Sequence, residues 1–384
     1  MILYRSSIKK GGEDYSISYT DSVNGTLAKG SCSYMFAGNQ SIKTNNIVIG
    51  NNVNSCWRMF EGCYQFNGNV TIPNSVTNVG SMFRNCRNFN QNVIIPNSIN
   101  NAFLMFGDCW NFNQNVKIPN SVTEAREMFG YCNLKFNYNI QIPNSLINGR
   151  GMFVGCYSLN QHIDVTVAEN ITDCNHMFAN CISLDKDILP TTPDCHTWAK
   201  KPVSMYGMFE GCTKYDKSVF VPDNATDCSR MLFGCSSFYS SVDFNSACIV
   251  RNISHICDGC DRPTIGFIPN GVLDMSYACA NCRNIQDAWF DIGTGVNNCD
   301  GVLFNCNNFN GTLNFLGNVS RKISMKGIFS TSMTKKKNIY FGNAINGQIN
   351  KLSVVSPNLY ITPTWTTTSY GYYNATYNIY CYWR

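Results

Sequence analysis

MFEGCYQFNGNVTIPNSVTNVGS, beginning at Met59, returns as MFRNCRNFNQNVIIPNSINNAFL from Met82. It returns again as MFGDCWNFNQNVKIPNSVTEARE from Met105 and as MFGYCNLKFNYNIQIPNSLINGRG from Met128. Successive starts lie 23 residues apart, and the step from Met128 to Met152 is 24. A fixed period of this length means that each copy is one coil, unable to bury its apolar side alone and stabilised by stacking on its neighbours. The pattern continues less strictly through Met177, Met208 and Met231, then survives as cysteine spacing at Cys260, Cys282 and Cys306. A degenerate copy, SYMFAGNQSIKTNNIVIG from Ser33, stands in front. Residues 31–330 are therefore expected to form a solenoid of about 12 coils.

Each column of the repeat has its own chemistry. Val70/Ile72, Val93/Ile95, Val116/Ile118 and Ile140/Ile142 alternate with Thr71, Ile94, Lys117 and Gln141, which predicts short parallel strands with every second side chain inward. Pro73, Pro96, Pro119 and Pro143 end those strands because proline has no N–H for the ladder, and the Asn-Ser that follows is turn chemistry. On the opposite face Phe60, Phe83, Phe106, Phe129 and Phe153 form an inward stack, on turns and short helical segments. Phe66, Phe89, Phe112 and Phe136 form another, and the Asn67, Asn90, Asn113, Asn137 and Asn160 that follow can bond the backbone of their own and the neighbouring coil. Cysteine recurs at Cys63, Cys86, Cys109, Cys132, Cys156, Cys181, Cys212, Cys235, Cys260, Cys282 and Cys306, a ladder of small side chains expected to be buried and reduced.

The unit MFxxCxxFNxNVxIPNSVTN resembles the BspA-like leucine-rich repeats, which combine a phenylalanine, a cysteine three residues later and an IP-x-SVT turn. The likeness is closest from Cys32 to Cys235 and rests on spacing alone beyond it. Here Phe-Asn stands where the family often has Leu, and Met-Phe where it often has Ala-Phe, which alters core packing more than architecture. The resemblance implies a leucine-rich-repeat-like solenoid with one parallel sheet. Such repeats occur in bacterial surface adhesins, in some protist proteins and in virion proteins of phages that infect gut bacteria, and the Asn-rich type is most similar to the last. What it implies is a virion-associated fibre or decoration component that contacts host-surface polysaccharide or protein, with other virion proteins as neighbours. A cellular adhesin or scaffold on a cell surface is the alternative, and a homo-oligomer is compatible with either.

Composition narrows the function further. Charged residues are 14% of the chain, against roughly 25% in ordinary domains, so charge-driven recognition has few side chains to work with. The net charge of +5 is spread thinly, and Lys335-Lys336-Lys337, read as a solvated loop, is too short for a nucleic-acid groove. No stretch is long and apolar enough to insert in a membrane, and MILYRSSIKKGGEDYS offers no signal-peptide core, so folding in a cytosol is expected. An odd total of 21 cysteines in a long chain argues against a secreted disulfide scaffold.

No nucleophile elbow, glycine-rich phosphate loop or His-Glu-x-x-His site accompanies His162, His176, His196 and His255, so no enzymatic activity and no cofactor are expected. Asp185 and Asp187 fall at variable positions where solvated side chains are the rule. Cys257, Cys260, Cys279 and Cys282 have the spacing of a four-cysteine zinc site, but the repeat accounts for that spacing without metal. No metal is assigned, and zinc binding stays open. Residues 1–30 lack the repeat and read as an N-terminal cap or docking segment. Residues 331–384 carry an aromatic run from Tyr360 to Trp383, which reads as a β-rich C-terminal cap or an assembly surface.

Candidate ligand contacts come from positions that vary while the scaffold repeats. The residue after each ladder cysteine reads Tyr64, Arg87, Trp110, Asn133, Tyr157. Large aromatic and Arg side chains there can stack on sugar rings or anchor a protein surface, with Lys117 and Gln141 on the strand face adding polar contacts. The alternative is that they shield the corner of each coil.

Overall fold

The computed structural model describes residues 4–11, 14–21, 30–44, 46–189, 196–286, 289–316, 323–324, 327–328, 337–341, 366–368, 371–374 and 379–383. For the strands before 30 and after 336, and for Trp289, it describes the backbone alone. Two compact units result, Met1–Leu184 and Asp185–Arg384, each a stack of coils.

In the first unit a hairpin, Tyr4–Gly11 against Asp14–Asp21, lays its second strand parallel to Ile47–Ile49, which pairs in turn with Val70–Thr71. Beyond that point the expected register persists: Val93, Ile95, Val116, Ile118, Ile140 and Ile142 are buried, while Thr71, Ile94, Lys117 and Gln141 are exposed, Ile94 by 82%. The continuous sheet does not persist, and residues 93–95, 116–118 and 140–142 carry no regular strand. Side chains make the coil-to-coil bonds there. Asn67 Oδ1 accepts from the Asn90 N–H at 2.9 Å, Asn90 Oδ1 from the Asn113 N–H at 2.8 Å, and Asn113 Oδ1 from the Asn137 N–H at 3.0 Å. The serine of each Pro-Asn-Ser turn adds a bond of the same kind, Ser75 Oγ donating to Val53 C=O at 2.7 Å and Ser121 Oγ to Ile99 C=O at 2.6 Å.

The second unit has a parallel pair, Val219–Val221 with Val242–Phe244. Its larger sheet runs in the order Phe267–Ile268, Trp289–Ile292, Thr312–Phe315, Lys337–Phe341 and Ile379–Trp383, all parallel. Gly371–Asn374 and Thr366–Thr368 complete it, each antiparallel to its predecessor. Lys337 thus opens a strand. The side chains of the aromatic run from Tyr360 to Trp383 lie outside the described residues.

The expected short helical segments are not found: among the described residues there is no helix, and none is long and apolar enough to cross a membrane. The Met-Phe stretch is a string of turns. Within one coil Met82 N–H donates to Val79 C=O, Arg84 N–H to Ser81 C=O and Cys86 N–H to Phe83 C=O, at 3.0–3.1 Å. The intervening Ser81, Phe83 and Asn85 N–H groups donate instead to Phe103, Met105 and Gly107 of the next coil, at 2.7–2.9 Å. Ser81 and Asn85 sit at φ +54° and +60°, and the same pair of left-handed positions recurs at Leu104/Asp108 and Glu127/Tyr131. A left-handed residue every fourth position prevents an α-helix. It also aims alternate N–H groups across the stack, where a helix would use them within its own coil.

The core is columnar. Phe60 and Phe83 stack with centroids 5.5 Å apart, Phe83 and Phe106 5.6 Å, and Phe106 and Phe129 5.6 Å, all nearly parallel. The second column interleaves with it, Phe66 lying 4.5 Å from Phe60 and Phe89 4.3 Å from Phe83. These rings are fully buried, each contributing on the order of 1.5–3 kcal/mol. The cysteines beside them are free thiols with a defined partner: Cys86 Sγ donates to Phe60 C=O at 3.0 Å, Cys109 to Phe83 at 3.0 Å, Cys132 to Phe106 at 3.1 Å and Cys235 to Phe209 at 3.1 Å. Cysteine suits this column because it packs like a small apolar residue and still carries a donor.

Candidate ligand-binding surface

Each ladder cysteine closes a turn, as in the Cys86 N–H to Phe83 C=O bond, and the chain then leaves the core, so the next side chain emerges at the coil edge. Tyr64 is 43% exposed and Tyr157 41%, while Arg87, Trp110 and Asn133 are partly covered. The structure brings three of these together. The Arg87 guanidinium lies across the Tyr64 ring at 4.7 Å and the Trp110 ring at 4.0 Å, and Nε donates to Asn85 Oδ1 at 3.2 Å. Arg87 is thus a clamp between two rings on neighbouring coils, engaged before any ligand arrives. Its part is to hold Tyr64 and Trp110 in place.

Lys117 and Gln141 belong to a different surface. With Asn97, Asn120, Pro119 and Pro143 they line an open cavity of about 450 Å³. Gln141 also borders a second, of about 350 Å³, with Asn139, His162 and Asp164. Neither cavity includes Tyr64, Arg87, Trp110 or Tyr157. The six candidate residues therefore divide into an aromatic edge and a polar groove.

Sequence reasoning missed three features. Arginine–aromatic clamps recur: Arg58 lies over Trp57 at 4.7 Å, Arg126 over Phe103 at 4.4 Å and Arg230 over Phe233 at 3.9 Å. Their signal, Arg one period from an aromatic, is visible in Phe103/Arg126 and in Tyr64/Arg87/Trp110. A second polar column, Asn78, Asn101, Glu124, Asn148 and Asp173, forms bridges from coil to coil. Each side chain accepts the N–H two residues on, as Asn101 Oδ1 does from Phe103 at 2.9 Å. Its identity changes along the chain, which hid it. Third, Arg58, Glu61, Arg84 and Asp108 make a chain of ion pairs at 3.2–3.8 Å, half-exposed and worth little individually. Burial pushes the Asp108 carboxyl up, opposed by the Arg84 and Arg87 charges.

His255, Asp258 and the clustered cysteines are structural partners. His255 Nδ1 lies 2.8 Å from Asp258 Oδ2, the buried Asp258 also accepts from Asn281 Nδ2 at 2.8 Å, and the imidazole stacks on Tyr277 at 4.9 Å. Of the four clustered cysteines two are rungs, Cys260 Sγ donating to Leu232 C=O and Cys282 Sγ to Cys257 C=O, both at 3.2 Å, while Cys257 and Cys279 stand in the phenylalanine column and hydrogen bonds from the Cys257 and Cys282 thiols hold the Cys279 thiol below its ordinary value. Among the described residues no group of three or more His, Cys, Asp or Glu is arranged to hold a metal ion. Burial raises the Cys86, Cys132 and Cys235 thiols well above their ordinary value, and Cys63 to about 11.

A family model described as "Mycoplasma protein of unknown function, DUF285" matches residues 30–144 and 147–262. No curated protein matches the sequence. Among solved structures, the chain is similar to a leucine-rich repeat protein from Bacteroides ovatus ATCC 8483, with TM-score 0.45 and 16% identity, covering 92% of this chain and 97% of that one. It is similar also to a leucine rich cell surface protein from Faecalibacterium prausnitzii A2-165, with TM-score 0.44 and 13% identity, covering 91% of this chain and 96% of that one.

Proposed function

Since the chain belongs to the family described as "Mycoplasma protein of unknown function, DUF285", whose model spans more than half of it, and that description leaves its activity open, we propose that it is a non-enzymatic binding scaffold contacting carbohydrate or protein on a host cell surface. One observation carries this reading. Over the same five coils the Phe60 and Cys63 columns repeat residue for residue, while the edge position after the ladder cysteine changes from Tyr64 to Arg87, Trp110, Asn133 and Tyr157. Stacking requires the sameness of the first set and not the variety of the second. Tyr64 and Trp110, held rigid by Arg87, offer aromatic contact area at low entropic cost.

The likeness of the Asn-rich repeat type to phage examples supports placement on a virion, as a fibre or decoration component; a cell-surface adhesin is the other placement. Detection of the chain in purified phage particles decides between them. For the binding role, a combined Tyr64→Ala, Trp110→Ala, Tyr157→Ala variant that keeps its melting temperature should lose attachment to host cells or isolated surface polysaccharide. Attachment equal to the parent's would move the contact off this edge.

A further inference from the structure

We infer that the groove over Asn97, Asn120, Asn139 and Gln141 is a binding site for a neutral oligosaccharide. The inference rests on the scaffold reading above and names a ligand class and a place. Its starting point is how the amides of this chain divide. Asn67, Asn90, Asn113 and Asn137 are engaged in coil-to-coil bonds through their side chains, and Asn78, Asn101 and Asn148 in turns. Asn97, Asn120, Asn139 and Gln141 are exposed, and their side chains make no hydrogen bond among the described residues. Asn97 and Asn120 serve their Pro-Asn-Ser turns through the backbone, which leaves the side-chain amides without a bond to the fold.

These four amides line two adjoining cavities of about 450 and 350 Å³ that share Gln141. Asn97 and Asn120 hold equivalent positions on successive coils, so their amides repeat at the coil spacing of roughly 5 Å, a length comparable to one sugar ring of an extended chain. Pro119, Ile142 and Pro143 form the covered floor beneath them. An amide presents a donor and an acceptor together, which matches neighbouring hydroxyls. Lys117 borders one cavity and Asp164 the other, so the charges offset and favour an uncharged ligand. A protein partner fits less well, because the groove holds none of the large aromatic or Arg anchors on which such interfaces depend.

The test is calorimetric titration of the full-length protein with cellohexaose, mannohexaose and galactohexaose, with hexagalacturonate as the charged probe. The expected result is binding of at least one neutral hexasaccharide. Asn97→Ala, Asn120→Ala, Gln141→Ala together should weaken it at least about tenfold with the melting temperature unchanged, since each lost hydrogen bond contributes modestly and the three sum. A Lys43→Ala control, exposed on another coil and outside both candidate surfaces, should bind that sugar as the parent does. Binding of no neutral probe, preference for hexagalacturonate, or loss of affinity only in the Tyr64→Ala, Trp110→Ala, Tyr157→Ala edge variant would each overturn the assignment. Cell attachment that survives in the groove variant and fails in the edge variant would leave the scaffold reading standing without this site.

Discussion

The thiol of Cys109 donates a hydrogen bond of 3.0 Å to the carbonyl oxygen of Phe83 in the preceding coil. That carbonyl also accepts the Cys86 N–H of its own coil at 3.0 Å, so one oxygen joins turn closure to coil stacking. The relationship recurs at each rung from Cys86 to Cys156, and it sets the consequences of substitution in the ladder.

Cys109→Ala leaves Phe83 C=O with its backbone partner and opens a small cavity, so a loss of about 1–2 kcal/mol is expected in urea denaturation. Cys109→Asp buries a carboxyl with no counter-charge between stacked rings and should prevent folding. A Cys109→Ala loss above about 4 kcal/mol would mean that the thiol bond carries far more of the stack than a single rung.

Alkaline pH should unfold the protein through the same thiols. The folded-state pKa of Cys63 is raised from 9.0 to about 11, with burial as the main cause. The folded form therefore holds its proton between those values while the unfolded chain releases it. Stability from this group is complete below pH 9 and falls as pH rises toward 11, at about 1.4 kcal/mol per pH unit. The other buried rungs act in the same direction. Denaturation midpoints across pH 8–11 should decline steeply, and less steeply in Cys63→Ala. Folded protein should also resist thiol reagents at pH 8; rapid labelling of the ladder in native buffer would refute the protonated, inaccessible state.

Gly155 holds φ at +69°, and a Cβ there would stand 2.6 Å from the Tyr131 ring, which lies over it from the preceding coil. Gly155→Ala should cost about 1–2 kcal/mol for the backbone conformation plus the clash. Adding Tyr131→Ala should return the part owed to the clash, so the double variant should be less destabilised than the sum of the two singles. Simple additivity in thermal melts would show that the ring moves aside freely.

The sequence by itself determined the period, the inward columns and the outward register of Thr71, Ile94, Lys117 and Gln141. A side chain buried in the same surroundings at every turn of the stack is selected for the same size and polarity each time, and that repetition is legible one residue at a time. Only the tertiary structure decided that the Met-Phe stretch is a run of turns, because the left-handed φ of Ser81 and Asn85 leaves no mark in the apolar pattern. Only it divided the candidate contacts, clamping Arg87 between Tyr64 and Trp110 and setting Lys117 and Gln141 in a separate groove. It also separated the asparagines that bond neighbouring coils from Asn97 and Asn120, which do not. The physical reason is common to all three. Where these groups have a partner it lies a full coil away, and whether two residues one period apart meet depends on how the coils register, which no single period records.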